Sequence, residues 1–129
     1  MGNNYLGKRP VQKGMDKNYV TTASTGTKFR APGVYTITST ATLKTYTLLP
    51  PRLQEVGGVV EIHCLKATTN LIARVCTTGA SFYSTVSSTS VTKDTARFNR
   101  ADQVLVARAM STSKWHIISN LNTVNITTS

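Results

Sequence analysis

Carboxylates are scarce in this chain. Five Asp and Glu stand against 15 Lys and Arg, spread as Asp16, Glu55, Glu61, Asp94 and Asp102. Glycoside hydrolysis needs two facing carboxylates, and isolated acids among surplus cations read instead as surface ion pairs. Histidine occurs twice, at His63 and His116, and cysteine twice, at Cys64 and Cys76. There is neither a Cys-x-x-Cys pair nor a Cys/His cluster, so no zinc site is expected. Serine is plentiful but never sits in a Gly-x-Ser-x-Gly elbow. Phosphate-loop, dinucleotide and calcium-loop patterns are missing as well. His63 lies two residues from Glu61, which on a strand puts both on one face; that spacing reads as an ion pair, not as a base and its orienter. The expectation is a protein with no catalytic residue, no cofactor and no metal.

Apolar runs are short. None approaches bilayer-spanning length. The opening "MGNNYLGKRP" lacks the apolar core of a secretory signal, and "MGNNYL" lacks the Ser or Thr that myristoylation needs at position 6. No membrane partner is therefore expected, and the chain is expected to be made in the cytoplasm and to stay there or be assembled there.

Thr and Ser are abundant, about a quarter of the 129 residues. β-Branched Thr is a poor helix former and suits a pleated surface. From Pro32 onward the sequence alternates with period two: "GVYTITST", "LKTYTLLP", "VVEIHCLK", "LIARVC", "QVLVARAM" and "WHIIS". Pro50-Pro51 forces a turn or crossover, and the only helical candidate, near Arg52 to Val56, is a turn or two long. "ATTN" reads as a hairpin connection between "VVEIHCLK" and "LIARVC". Phe82 and Val86 are expected core points in "SFYSTVSSTSVT". Cys64 and Cys76 are expected as two buried free thiols. The sum is an all-β chain: an antiparallel β-sandwich or jelly-roll-like domain over residues 31–129.

Residues 1–30 differ. Lys8, Arg9, Lys13, Lys17, Lys28 and Arg30 face Asp16 alone, which is half of the net +10 charge. Gly and Pro interrupt the segment, so it reads as an extended basic arm. Its apolar points, Tyr5, Leu6 and Val11, suit docking on a neighbour. The charge invites a polyanion, and Tyr5, Tyr19, Phe29 and Tyr35 among cations fit single-stranded nucleic acid, though no RNP, KH or zinc-finger motif is present. Nucleic acid thus stands as an alternative partner, with a basic-armed viral coat protein as the corresponding reading.

"QVLVARAMSTSKWHIIS" reads as strand, turn, strand. Val104 and Val106 share a face with Arg108, and Leu105, Ala107 and Ala109 share the other. A strand apolar on both faces is either central in a two-layer core or lies at a subunit contact. Val104, Val106 and Arg108 are the residues expected at that contact, in a homo-oligomer.

The hairpin with Trp115 opening its second strand, preceded by "TLLPP" and "GGVVEIHCLKAT", resembles the small β-sandwich modules of bacteriophage virions, over residues 33 to 120. Those modules form head decoration (cement) proteins and tail- or head-fibre parts. This chain departs from them in the turn, where "STSK" replaces an Asp-Gly or Asn-Gly type, and in its basic arm. The resemblance implies a trimeric virion structural protein bound to the major capsid protein or another virion protein. Tyr5, Leu6, Lys8, Arg9, Lys13 and Lys17 would form the capsid-contact arm. A tail, neck or fibre component of similar fold is the alternative.

Overall fold

A computed structural model describes residues 20–39, 43–67, 73–84 and 93–128. In chain order the strands are β1 (Val20–Thr22), β2 (Lys28–Phe29), β3 (Gly33–Ser39), β4 (Lys44–Leu48), β5 (Val59–Ala67) and β6 (Ala73–Thr77). They continue with β7 (Ser81–Ser84), β8 (Thr95–Phe98), β9 (Val104–Ser111), β10 (Lys114–Leu121) and β11 (Asn125–Thr127). A 3-10 turn, Leu53–Glu55, follows the double proline. The fold is all-β.

The strands form two sheets. One has six strands in the order β1-β3-β5-β9-β10-β7, and the other has five in the order β11-β8-β6-β4-β2. From β1 to β6 the chain alternates between sheets, strand by strand. Each strand therefore returns beside the one two places earlier and runs the same way, making the pairs β1/β3, β3/β5, β2/β4 and β4/β6 parallel. A parallel pair needs a crossover, and here the crossover contains a strand of the opposite sheet. The antiparallel expectation is corrected accordingly: of the nine ladders among the described residues five are parallel, β7/β10 being the fifth. Period-two alternation records which face is buried, not which way the neighbour runs.

The same winding overturns the expected hairpin at "ATTN": β5 and β6 lie in different sheets. It also moves the start of the layers. Residues 20–30, which charge assigns to the arm, already supply β1 and β2, and Phe29 is fully buried. Strands of two or three residues carry no readable period, which is why the charge pattern masked them. Residues 1–19 lie outside the described residues.

One core fills the space between the sheets. Ile37, Val60, Ile62, Leu105, Ala107 and Trp115 come from the six-stranded sheet, and Phe29, Tyr46, Leu48, Val75, Ala96 and Phe98 from the other. Phe82 is buried as expected, whereas Val86 lies outside the described residues. Phe29 stacks on Tyr35 with ring centroids 4.2 Å apart and planes 5° apart. The Tyr35 hydroxyl accepts from the Arg30 backbone N–H at 2.9 Å. The Tyr46 hydroxyl donates to the Thr38 carbonyl at 2.9 Å.

Two polar devices tie the ends. Arg30 donates to both Glu55 oxygens, at 3.0 and 3.1 Å, and Glu55 also accepts from the Arg52 N–H at 2.8 Å. Gly57, at φ 93°, follows this turn and donates its N–H to Ala109, joining the turn to β9. Gln103 is buried. Its carbonyl accepts from the N–H of Asn99 and Arg100, while its amide donates to the carbonyls of Asn122 and Thr123.

Candidate assembly surface

The expected contact strand is β9. It lies between β5 and β10 in the six-stranded sheet, and its burial alternates. Leu105, Ala107 and Ala109 point into the core, so Val104, Val106 and Arg108 point outward. The two valines are half-buried and Arg108 is exposed.

Register places their neighbours. Thr36, His63, Val104 and Leu121 form one row across the outer face. Val20, Val34, Glu61, Val106 and Ser119 form the next. Val59, Arg108, His116 and Tyr83 form a third. Ile118 sits at the bulge beside Val106, and Met110 at the bulge before the hairpin turn. Ile118, Met110 and Leu121 are 47%, 54% and 54% exposed. An outer sheet face on an isolated domain alternates to polar residues; this one carries Val20, Val34, Val59, Val104, Val106 and Leu121 among Thr36, Glu61, His63, Arg108, His116 and Ser119.

Its charges are few. The Glu61 carboxylate and the His63 Nε2 are 3.4 Å apart. Arg108, Lys114 and Lys66, which pairs with Thr38, are cations on this sheet. The Lys114 ammonium sits 5.2 Å above the Tyr83 ring centre. Tyr83, Met110, Lys114 and His116 line a depression of about 280 Å³ at this end. The His116 Nε2 is occluded and meets no partner among the described residues.

The five-stranded sheet shows the opposite character. Its outer rows are Thr45-Arg74-Arg97-Asn125 and Thr47-Cys76-Thr95-Thr127, with Lys28 beside Thr47. One outer face thus carries an apolar cluster among polar positions, and the other is polar and cationic.

The remaining expected site residues separate. Tyr5, Leu6, Lys8, Arg9, Lys13 and Lys17 lie outside the described residues, as does Tyr19. Arg30, counted with the arm, is neutralised by Glu55. Phe29 and Tyr35 are spent on each other and on the core, so neither ring is free to stack on a base. Cys64 and Cys76 are unpaired. Cys64 is buried, and burial pushes its thiol pKa above the ordinary 9.0. Cys76 is only half-buried, on the outer face of β6. Among the described residues no three of His, Cys, Asp and Glu come together, and no helix is long and apolar enough to cross a membrane.

The outward orientation of Val104, Val106 and Arg108 follows from local alternation, whereas their neighbours on the face follow from strand order. Val34 and Tyr83 join this face only through the strand order, which no local pattern in the sequence gives. Ile117-Ile118 carried a usable signal: two adjacent apolar residues in an alternating strand mark a bulge. No protein-family model matches the chain, and no curated protein matches it in sequence.

Proposed function

We propose that this chain is a virion structural protein, most specifically a head decoration protein that binds across coat-subunit junctions and stabilises the shell. In this reading the two sheets form the β-sandwich of such a module, and copies of the chain associate, as a trimer, through the outer face of the six-stranded sheet. The basic N-terminal segment, with Lys8, Arg9, Lys13 and Lys17, docks on the capsid. Its mechanism is adhesion: occupying several coat subunits at once stabilises them by mass action and avidity.

The observation that carries the proposal is the apolar face centred on Val104 and Val106. Contiguous exposed apolar patches on soluble domains mark interaction sites. Six strands about 4.8 Å apart and about 20 Å long give a footprint of roughly 500 Å², near the ~600 Å² per partner at the lower bound for stable interfaces. A second copy also suits its charges, since Glu61 and Arg108 occupy neighbouring rows on the same face, so that one copy's Glu61 can meet the next copy's Arg108 in the head-to-tail contacts of a closed trimer.

The test is decoration of shells lacking this protein. Purified chain added to such heads is expected to bind saturably and raise their heat-disruption temperature. Deletion of residues 1–18 is expected to weaken binding. Binding by the deleted form with unchanged affinity would remove the arm from the proposal, and no binding by the intact chain would remove head decoration itself. A fibre or neck role is favoured if the chain instead binds purified tails.

A further inference from the structure

The cationic outer face of the five-stranded sheet holds an arrangement that self-association does not explain. Arg74 on β6 and Arg97 on β8 are direct cross-strand partners on one face of an antiparallel ladder. Directly opposed residues have Cβ atoms only about 5 Å apart, and like charges there repel. Ordinarily a carboxylate sits beside such a pair. Here the flanking residues in the row are Thr45 and Asn125, and the next row holds Thr47, Cys76, Thr95 and Thr127. The ion pairs formed between described residues, Arg30–Glu55 and Glu61–His63, leave both arginines without a carboxylate.

Arg74 is also incompletely satisfied. One terminal nitrogen donates a long 3.3 Å bond to the Thr45 hydroxyl. Its Nε is occluded from solvent and meets no partner among the described residues. Both arginines are half-buried, and the planar guanidinium fork loses little freedom for each hydrogen bond it forms. The geometry points to an oxyanion site: Arg74 and Arg97 together take one tetrahedral anion of the phosphate or sulfate class, with Thr45 and Asn125 as neutral neighbours. Two guanidinium forks match such an ion's oxygens and are relieved of their mutual repulsion when it binds. The ligand is a free oxyanion or a phosphomonoester, which share this chemistry.

Calorimetric titration of the full chain with inorganic phosphate, at constant ionic strength, tests the inference. A parallel titration with O-phosphoserine separates the two sources. Saturable binding of one phosphate group per chain is expected from at least one of the two. Arg97→Gln and Arg74→Gln are each expected to weaken it about tenfold or more. Arg97→Lys keeps the charge but not the fork, so it should fall between. Arg52→Gln, at an exposed arginine outside both sheets, is expected to change nothing. Without phosphate, Arg97→Gln should melt higher than the wild type, because the opposed charge is gone, and phosphate should no longer raise its Tm. Absence of saturable binding of either probe overturns the inference. So does equal loss in Arg97→Gln and Arg52→Gln, which would reduce the effect to net charge.

Discussion

Gln103→Leu removes the polar tie between the β8–β9 connection and the β10–β11 turn while keeping the side chain's size. Four hydrogen bonds disappear, at 2.8 and 3.2 Å on the carbonyl and 3.0 and 2.9 Å on the amide. At about 1 kcal/mol net for each, the loss approaches 4 kcal/mol. Two further links survive: Arg100 to the Asn122 carbonyl and the Asn122 amide to the Asp102 carbonyl. Water reaches part of the exposed connection, and the leucine gains transfer energy in a buried site. The net cost is then about 2–3 kcal/mol, a fall in Tm of roughly 10 °C for a chain of this size. Asn122 and Thr123 both hold positive φ, at 61° and 62°, and lose the partner that fixes them. Urea unfolding followed by the fluorescence of Trp115 measures the change, with the slope m unchanged. Gln103→Glu sharpens the test, because its carboxylate faces the carbonyls of Asn122 and Thr123. It should be at least as unstable at neutral pH and recover on mild acidification, when the protonated oxygen donates again. A loss below about 0.5 kcal/mol in Gln103→Leu would refute the reasoning.

Trp115 is fully buried, so Trp115→Ala should cost about 3–5 kcal/mol in chemical denaturation. Its indole N–H meets no acceptor among the described residues, and Trp115→Phe, which removes that unpaired donor, should cost much less. Cys64 and Tyr46 both have pKa values raised by burial, from 9.0 and 10.0. Above pH 9 the unfolded chain therefore releases protons that the folded chain keeps, and stability falls as pH rises. Tyr46→Phe should lose about 1 kcal/mol at neutral pH through the missing bond to Thr38, yet show a shallower alkaline decline in Tm. A thiol reagent should label Cys76 in the native protein and Cys64 only on unfolding, as read by mass spectrometry of the labelled peptides.

The face pattern was legible because it is local. Thr-rich alternation gave an all-β chain, and "VLVARAM" showed two apolar faces without any knowledge of its neighbours. The hairpin "STSK" formed as expected, though its tight turn uses only Thr112 and Ser113 between Ser111 and Lys114. Neither turn residue has positive φ, which is why no glycine is needed and why a bulge at Met110 accommodates the twist. Strand direction was not legible, since "VVEIHCLK" buries Val60, Ile62 and Cys64 identically beside a parallel or an antiparallel neighbour. The Arg74–Arg97 opposition was invisible for the same reason: 22 residues separate them, and only the ladder brings them together. The short strands β1 and β2 were hidden inside a charged segment whose cations dominated its reading.

The central claim is that the outer face of the six-stranded sheet is a contact between copies. Sedimentation velocity over a wide concentration range tests it most directly, on the wild type and on Val104→Lys/Val106→Lys. Both substitutions lie on the outer face, so the variant should stay folded, with the wild type's Trp115 fluorescence. The wild type is expected to sediment as a trimer and the variant as a monomer. A wild type that stays monomeric at every concentration, or a folded double variant that assembles as the wild type does, would contradict the claim.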